Sequence, residues 1–160
     1  VDAIAIAPYF SCNVSPHSNP TESVVEKWSI EQLFSHLENR SLPQTIQSMK
    51  DQKKLCDKYG LTLLCYEAGQ HLVGIQGSEN NHVITGLFFQ ANKDPRMGAL
   101  YTKYLNAWKA AGGEVMCLFS STGMWSKWGC WGLTEFPDET ENDQPKYKAV
   151  MEWQRCQESY

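Results

Sequence analysis

Two hydrophobic patterns alternate along the chain: short unbroken apolar runs, and longer stretches in which apolar residues recur every third or fourth position. The first run, Ala3-Ile4-Ala5-Ile6-Ala7, has no polar alternation, which predicts a strand buried on both faces and ended by Pro8. Residues 11–28 are rich in Asn, Ser and Pro and predict a long surface loop. Ser29 and Gln32 have the spacing of a capping box, and Ile30, Leu33, Phe34 and Leu37 form one face of a short helix expected to stop before Asn39. Ser41 and Pro43 open a second helix through Ile46, Met49, Leu55, Cys56 and Tyr59, which Gly60 closes.

The next run, Leu61 to Tyr66, predicts a second strand that ends abruptly at Glu67, with a charge at its tip. Asp94-Pro95 supplies a cap and a first-turn proline for a helix with Met97, Leu100, Tyr104, Leu105 and Trp108 on one face, stopped by Gly112-Gly113. Val115 to Phe119 predicts a third buried strand. It leads into a Gly-containing loop, 120–132, that carries Trp125, Trp128 and Trp131. Pro145 starts a last helix through Tyr147, Val150, Met151 and Trp153. Strands separated by helices predict an α/β fold with parallel pairing and right-handed crossovers, and 160 residues suit a single domain over 1–160.

Composition narrows the function. A hydrophobic fraction of 42% and a charged fraction of 20% fit a chain that folds around a core. The net charge of −4 supplies no basic field for a phosphate backbone, which argues against nucleic acid. No apolar run approaches the roughly 18 residues of a membrane span, and the opening residues, with neither Met nor a charged leader, predict a mature or trimmed chain. Six cysteines stand at 12, 56, 65, 117, 130 and 156 without the two-residue spacing of a zinc or redox motif. Their even count predicts disulfides, and with the sequons at Asn13 and Asn39 it predicts a secreted, extracellular glycoprotein. The acidic stretch holding Glu135, Asp138, Glu139, Glu141 and Asp143 lacks the glycine and spacing of a calcium loop, so it reads as solvated. No metal or other cofactor is predicted, and serine-esterase, nucleotide and zinc-protease motifs are absent from the sequence.

Three segments carry a family likeness: Ala5-Ile6-Ala7-Pro8-Tyr9-Phe10, Tyr66-Glu67-Ala68-Gly69-Gln70-His71 and Trp128-Gly129-Cys130-Trp131-Gly132. Together the chain resembles the C-terminal half of a retaining (β/α)8 glycoside hydrolase barrel with two catalytic glutamates, and among these, large bacterial and invertebrate proteins described as cellulose-binding. The resemblance covers nearly the whole chain, from a sixth barrel strand at Ala3 to an eighth helix near Trp153. It implies a partial (half) TIM-type barrel of parallel strands alternating with helices.

The same resemblance puts Glu67 in the nucleophile position at the tip of the seventh strand, with Tyr9 beside it as a hydrogen-bond donor. Gln70 and His71 are then expected on the loop above the barrel mouth, reaching substrate hydroxyls. Trp131 or Trp128 is expected to stack on a pyranose ring, with at least one of the three loop tryptophans in the core. Retaining chemistry also needs a carboxylic acid roughly 5 to 5.5 Å from the nucleophile. The family carries it on a fourth strand that aligns before residue 1, with Glu22, Glu135 and Asp138 as substitutes if this chain acts alone. A half-barrel leaves open edges and an uncovered inner face, so a homodimer, a complementary N-terminal half or a flattened sheet is expected. The function implied is hydrolysis or binding of β-linked polysaccharide; the alternative is a non-catalytic carbohydrate-binding or matrix protein. Structural readings stand beside these roles: Glu67 paired with Arg96 or Lys127, Tyr9 in the core, His71 in ordinary loop packing.

Overall fold

The computed structural model describes residues 1–158; the last two residues of the expected 1–160 domain lie outside them. The described chain is mixed α/β, built on short parallel strand pairs. β1 (Ala3–Ile6) pairs in parallel with β3 (Thr62–Cys65), and β2 (Phe10–Val14) pairs in parallel with β4 (Gln70–Gly74). Each pair thus continues the one before it past a corner, at 7–9 in the first chain segment and at 66–69 in the second. The corner stays registered because Tyr66 N donates to Ile6 O at 3.2 Å and Phe10 N to Gly69 O at 3.1 Å.

Residues 114–119 lie beside β3 as an irregular ribbon. Met116 bridges Cys65 in parallel, and Phe119 N reaches Ala68 O at 2.9 Å. The helices are α1 (Glu22–Val25), α2 (Ile30–His36), α3 (Leu42–Tyr59), α4 (His82–Lys93), α5 (Pro95–Ala110) and α6 (Pro145–Glu158). They bury one face of the strands: Ile4, Ile6, Leu63, Cys65 and Met116 pack with Leu33, Met49, Met97, Leu100 and Tyr104.

The opposite strand face is open. Ala5 is exposed and Val115 is 61% exposed, which corrects the expectations that β1 is buried on both faces and that 115–119 is a third buried strand: the segment has a single bridge, at Met116. Helices cover one side of these strands only, and among the described residues nothing plays that part on the other.

Several local expectations hold. Ser29 accepts from Gln32 N while Gln32 returns a bond to Ser29 N, a complete capping box. Asp94 accepts from Arg96 N to start α5, Pro43 sits in the first turn of α3, and Gly60 ends α3 at φ 65°. Others are corrected. The segment 11–28 is not one loop: Phe10, Cys12 and Val14 alternate inward as β2, and α1 follows with Glu22 accepting from Ser78 Oγ at 2.6 Å and Asn81 Nδ2 at 2.9 Å. The helix does not stop before Asn39 either. Asn39 bonds back to Ser35 O, and the chain passes through one π-helical turn, Leu37–Ser41, into α3. That wide turn buries Ser41, whose Oγ accepts from Ser11 N at 2.7 Å, and Thr45 Oγ1 then donates to Tyr9 O at 3.0 Å. Two hydroxyls therefore satisfy the outer edge of β2, which would otherwise be open.

The six cysteines are unpaired. The disulfides that their even count predicts are not found.

Candidate functional site

Tyr9 and Glu67 each stand just beyond a strand whose neighbour runs parallel to it, so both tips emerge at one end of the sheet. The loop 120–132 leaves the ribbon beside β3 at that same end. Two tyrosines of α5 hold the corner from below. Tyr104 Oη donates to Pro8 O at 2.9 Å, Tyr101 Oη accepts from Gln70 N at 3.1 Å, and both rings pack on Phe10. Gly69 sits at φ 133° against this support, and a Cβ there would lie 2.8 Å from Tyr101 Oη. The glycine of the Glu67-Ala68-Gly69-Gln70 turn is thus required by both backbone and space.

Above the corner the rings of Tyr9, His71, Phe119 and Trp131 cluster. His71 and Trp131 have centroids 4.6 Å apart, Tyr9 and His71 5.2 Å, Tyr9 and Trp131 6.4 Å, and Phe119 and Trp131 6.3 Å. Glu67 is partly buried beside them, and its carboxylate makes no hydrogen bond or ion pair among the described residues. Its charge is nevertheless felt. Burial first, then Glu67, push the Tyr9 phenol up to about 12, so Tyr9 remains a neutral donor. Tyr9 does not hydrogen-bond Glu67, which corrects that expectation.

Burial pushes the His71 imidazole below its ordinary value, opposed by its backbone and by Glu67. His71 Nδ1 meets Asn13 Oδ1 at 2.5 Å. An amide oxygen only accepts, so Nδ1 carries the proton and Nε2 offers a lone pair. The proposed structural partners of Glu67 are engaged elsewhere: Arg96 forks onto Asp94, and Lys127 Nζ donates to Asn80 Oδ1 at 2.7 Å.

Gln70 and His71 part company. The resemblance puts both on a loop, whereas both lie in β4, where alternate side chains point to opposite faces. Gln70 is buried; its Nε2 donates to Cys130 O at 2.7 Å and its Oε1 accepts from Leu72 N at 2.9 Å, fastening the tryptophan loop to the strand. Both ends of its amide are thereby engaged within the fold. His71 points the other way, into the aromatic cluster.

The three loop tryptophans also divide. Trp125 is 4% exposed, with Lys93 and Lys146 ammonium groups 5.4 and 5.1 Å from its ring centre. Trp128 is 61% exposed and Trp131 half-buried, so one tryptophan belongs to the core and the other two face outward.

Asn13 and Phe119 belong to the site and were missed by sequence reasoning. The alternation of Phe10, Cys12 and Val14 inward carries the signal for Asn13, since it turns that residue outward beside His71. Nothing local marks Phe119, whose placement depends on the ribbon's contact with Ala68.

Among the described residues no group of acidic, histidine and cysteine side chains is arranged to hold a metal ion, and no helix is long and apolar enough to cross a membrane. In the acidic stretch, Glu139 accepts from the backbone of Glu135 and Phe136, Asp143 from Thr140, and Glu141 pairs with Arg155 at 2.7 Å. Compared with models of protein families, with curated proteins and with solved structures, the chain finds no match.

Proposed function

We propose that the chain is a glycoside-hydrolase-type domain, a partial (β/α)8 barrel, that acts on or binds β-linked polysaccharide at the strand C-termini. One observation carries this reading: an unpaired carboxylate, Glu67, at a parallel strand tip, beside a neutral Tyr9 whose ring packs edge-on against the half-buried indole of Trp131. An indole face suits the C–H face of a pyranose. In this reading the Glu67 carboxylate attacks the anomeric carbon, forming a C–O bond to Glu67 as the bond to the leaving oxygen breaks.

Cleavage of an unactivated glycan needs a second, protonated carboxyl group to supply the leaving oxygen with its proton. Of the carboxylates, Glu67 is the one whose charge acts on Tyr9 and His71 among the described residues. Glu22 is a poor substitute, because hydrogen bonds from Ser78 and Asn81 hold its carboxyl below the usual range. That observation favours the second reading, carbohydrate binding without turnover, wherever no other chain brings the acid. A second copy or a complementary N-terminal half covering the open strand face would supply it. An extracellular setting belongs to this reading and draws on the exposure of the sequon residue Asn39; the unpaired cysteines give it no support.

The test is mass spectrometry after incubation with dinitrophenyl 2-deoxy-2-fluoro-β-glycosides. These need little protonation to leave and form a slowly hydrolysed intermediate. One glycosyl adduct on the peptide containing Glu67, lost in Glu67→Gln, is the expected result. Retained polysaccharide binding without an adduct selects the binding reading; neither adduct nor binding overturns the proposal.

A further inference from the structure

A polar cleft runs along the outer edge of β2, where that strand meets the π-helical turn and the start of α3. It has two lobes that share Ser11, Ser41 and Gln44. One, of about 310 Å³, is lined by Tyr9, which is also a member of the aromatic cluster. The other, of about 230 Å³, is lined further along by Asn13, Asn19, His36 and Arg40. Asn13 also ties this lobe to the cluster through His71. Neither lobe is lined by a carboxylate.

Arg40 is the cation of the cleft, and among the described residues it has no ion pair or hydrogen bond. The nearest acid in sequence, Glu38, is turned to Lys103 at 3.2 Å. His36, one turn earlier on the same helical rod, packs 5.2 Å from the Trp28 ring centre. Burial, and then the charge of Arg40, push its imidazole below the ordinary value, so near neutral pH it is an uncharged ring with one donor and one acceptor. The rest of that lobe's lining is hydroxyls and amides, with Cys12 and Pro20.

A guanidinium presents a planar fork of donors that matches a carboxylate or sulfate far better than a neutral hydroxyl. Around it, amides and hydroxyls suit the remaining polar groups of a sugar. A chain of net charge −4 repels polyanions at long range, so recognising one needs a local cation free of acidic neighbours. We propose that this cleft binds the acidic group of an anionic glycan, Arg40 pairing with a carboxylate or sulfate ester on a sugar unit beyond the one that lies on Trp131. From Tyr9 to Asn13 the extended chain advances roughly 13 Å, which separates the two subsites by more than one ring. The inference rests on the carbohydrate reading above and names its substrate class as acidic.

Calorimetric titration with three matched probes tests it: cellohexaose, the β-1,4-linked hexamer of glucuronic acid, and 6-sulfated cellohexaose. At least one acidic probe is expected to bind about tenfold more tightly than the neutral one, and Arg40→Gln to abolish that preference while leaving the neutral affinity unchanged. Comparison of the two acidic probes separates carboxylate from sulfate. Trp131→Ala is expected to weaken all bound probes alike. Equal affinity for neutral and acidic probes, or an Arg40→Gln effect that is absent or uniform, overturns the inference and leaves the carbohydrate reading standing. No binding of any probe overturns both.

Discussion

Lys146 is a lysine without a single exposed atom of consequence: it is fully buried in α6, with Nζ donating to Cys130 O at 2.6 Å and facing the Trp125 ring. Burial pushes its ammonium down to about 7, against smaller opposing effects of Cys130 and Glu135. In the unfolded chain it keeps a value near roughly 10.4. The folded value lies below the unfolded one, so between them the unfolded state binds the proton more tightly. The contribution of Lys146 to stability therefore falls as pH drops from about 10 to about 7 and is flat below. Lys146→Met removes the titration. The stability of the natural protein relative to that variant is expected to rise by about 1 kcal/mol per pH unit between about pH 7.5 and about 8.5. Urea denaturation at several pH values measures this, and a flat difference would mean that the buried amine stays charged.

At the scale of the element, the capping box before α2 is an interaction complete within four residues. Ser29 Oγ accepts from Gln32 N at 3.3 Å and Gln32 Oε1 from Ser29 N at 2.8 Å. Ser29→Ala is expected to cost about 1 kcal/mol and to lower the melting temperature by about 2–4 °C, without disturbing glycan binding, because neither Ser29 nor Gln32 lines the Arg40 cleft or belongs to the Trp131 ring cluster. Calorimetry checks the first and titration the second. The element missed entirely, α4, also announces itself locally. Asn81 caps it, accepting from Val83 N and Ile84 N, and Ile84, Leu87, Phe88 and Ala91 make a helical stripe. By contrast, the π-helical turn is not legible: Leu37–Ser41 widens where Ser41 must meet the edge of β2, a partner 30 residues away.

For the whole molecule, tertiary packing decides which cysteines meet solvent. Cys12, Cys56, Cys65 and Cys130 are buried, whereas Cys117 on the ribbon and Cys156 on α6 are exposed. Burial also pushes the Cys12 and Cys130 thiols up to about 12 and Cys65 up to about 11, further suppressing the reactive thiolate. Native protein treated with iodoacetamide without reductant is expected to be modified at Cys117 and Cys156 alone. In denaturant, again without reductant, all six should react. Peptide mapping reads both results, and fewer than six labels in denaturant would reveal a disulfide.

The sequence by itself determined what depends on residues a few positions apart. The caps at Ser29 and Asp94, the proline starts of α3, α5 and α6, the stop at Gly60 and the placement of Tyr9 and Glu67 beyond apolar strands are all of this kind. Each is set by local hydrogen bonds or by period, and the surrounding fold leaves it unchanged. Only the tertiary structure decided what depends on a distant partner. Pairing of Phe10 with Gln70 made β2 and β4 strands, and strand alternation then sent Gln70 into the core and His71 into the aromatic cluster. The same separation in sequence explains the tryptophans. Trp125, Trp128 and Trp131 look alike on one loop, but Lys146 and Phe89 enclose the first while His71 and Tyr9 meet the last. Burial is a property of what packs against a side chain, and those neighbours come from positions 21 to 122 residues away in the sequence.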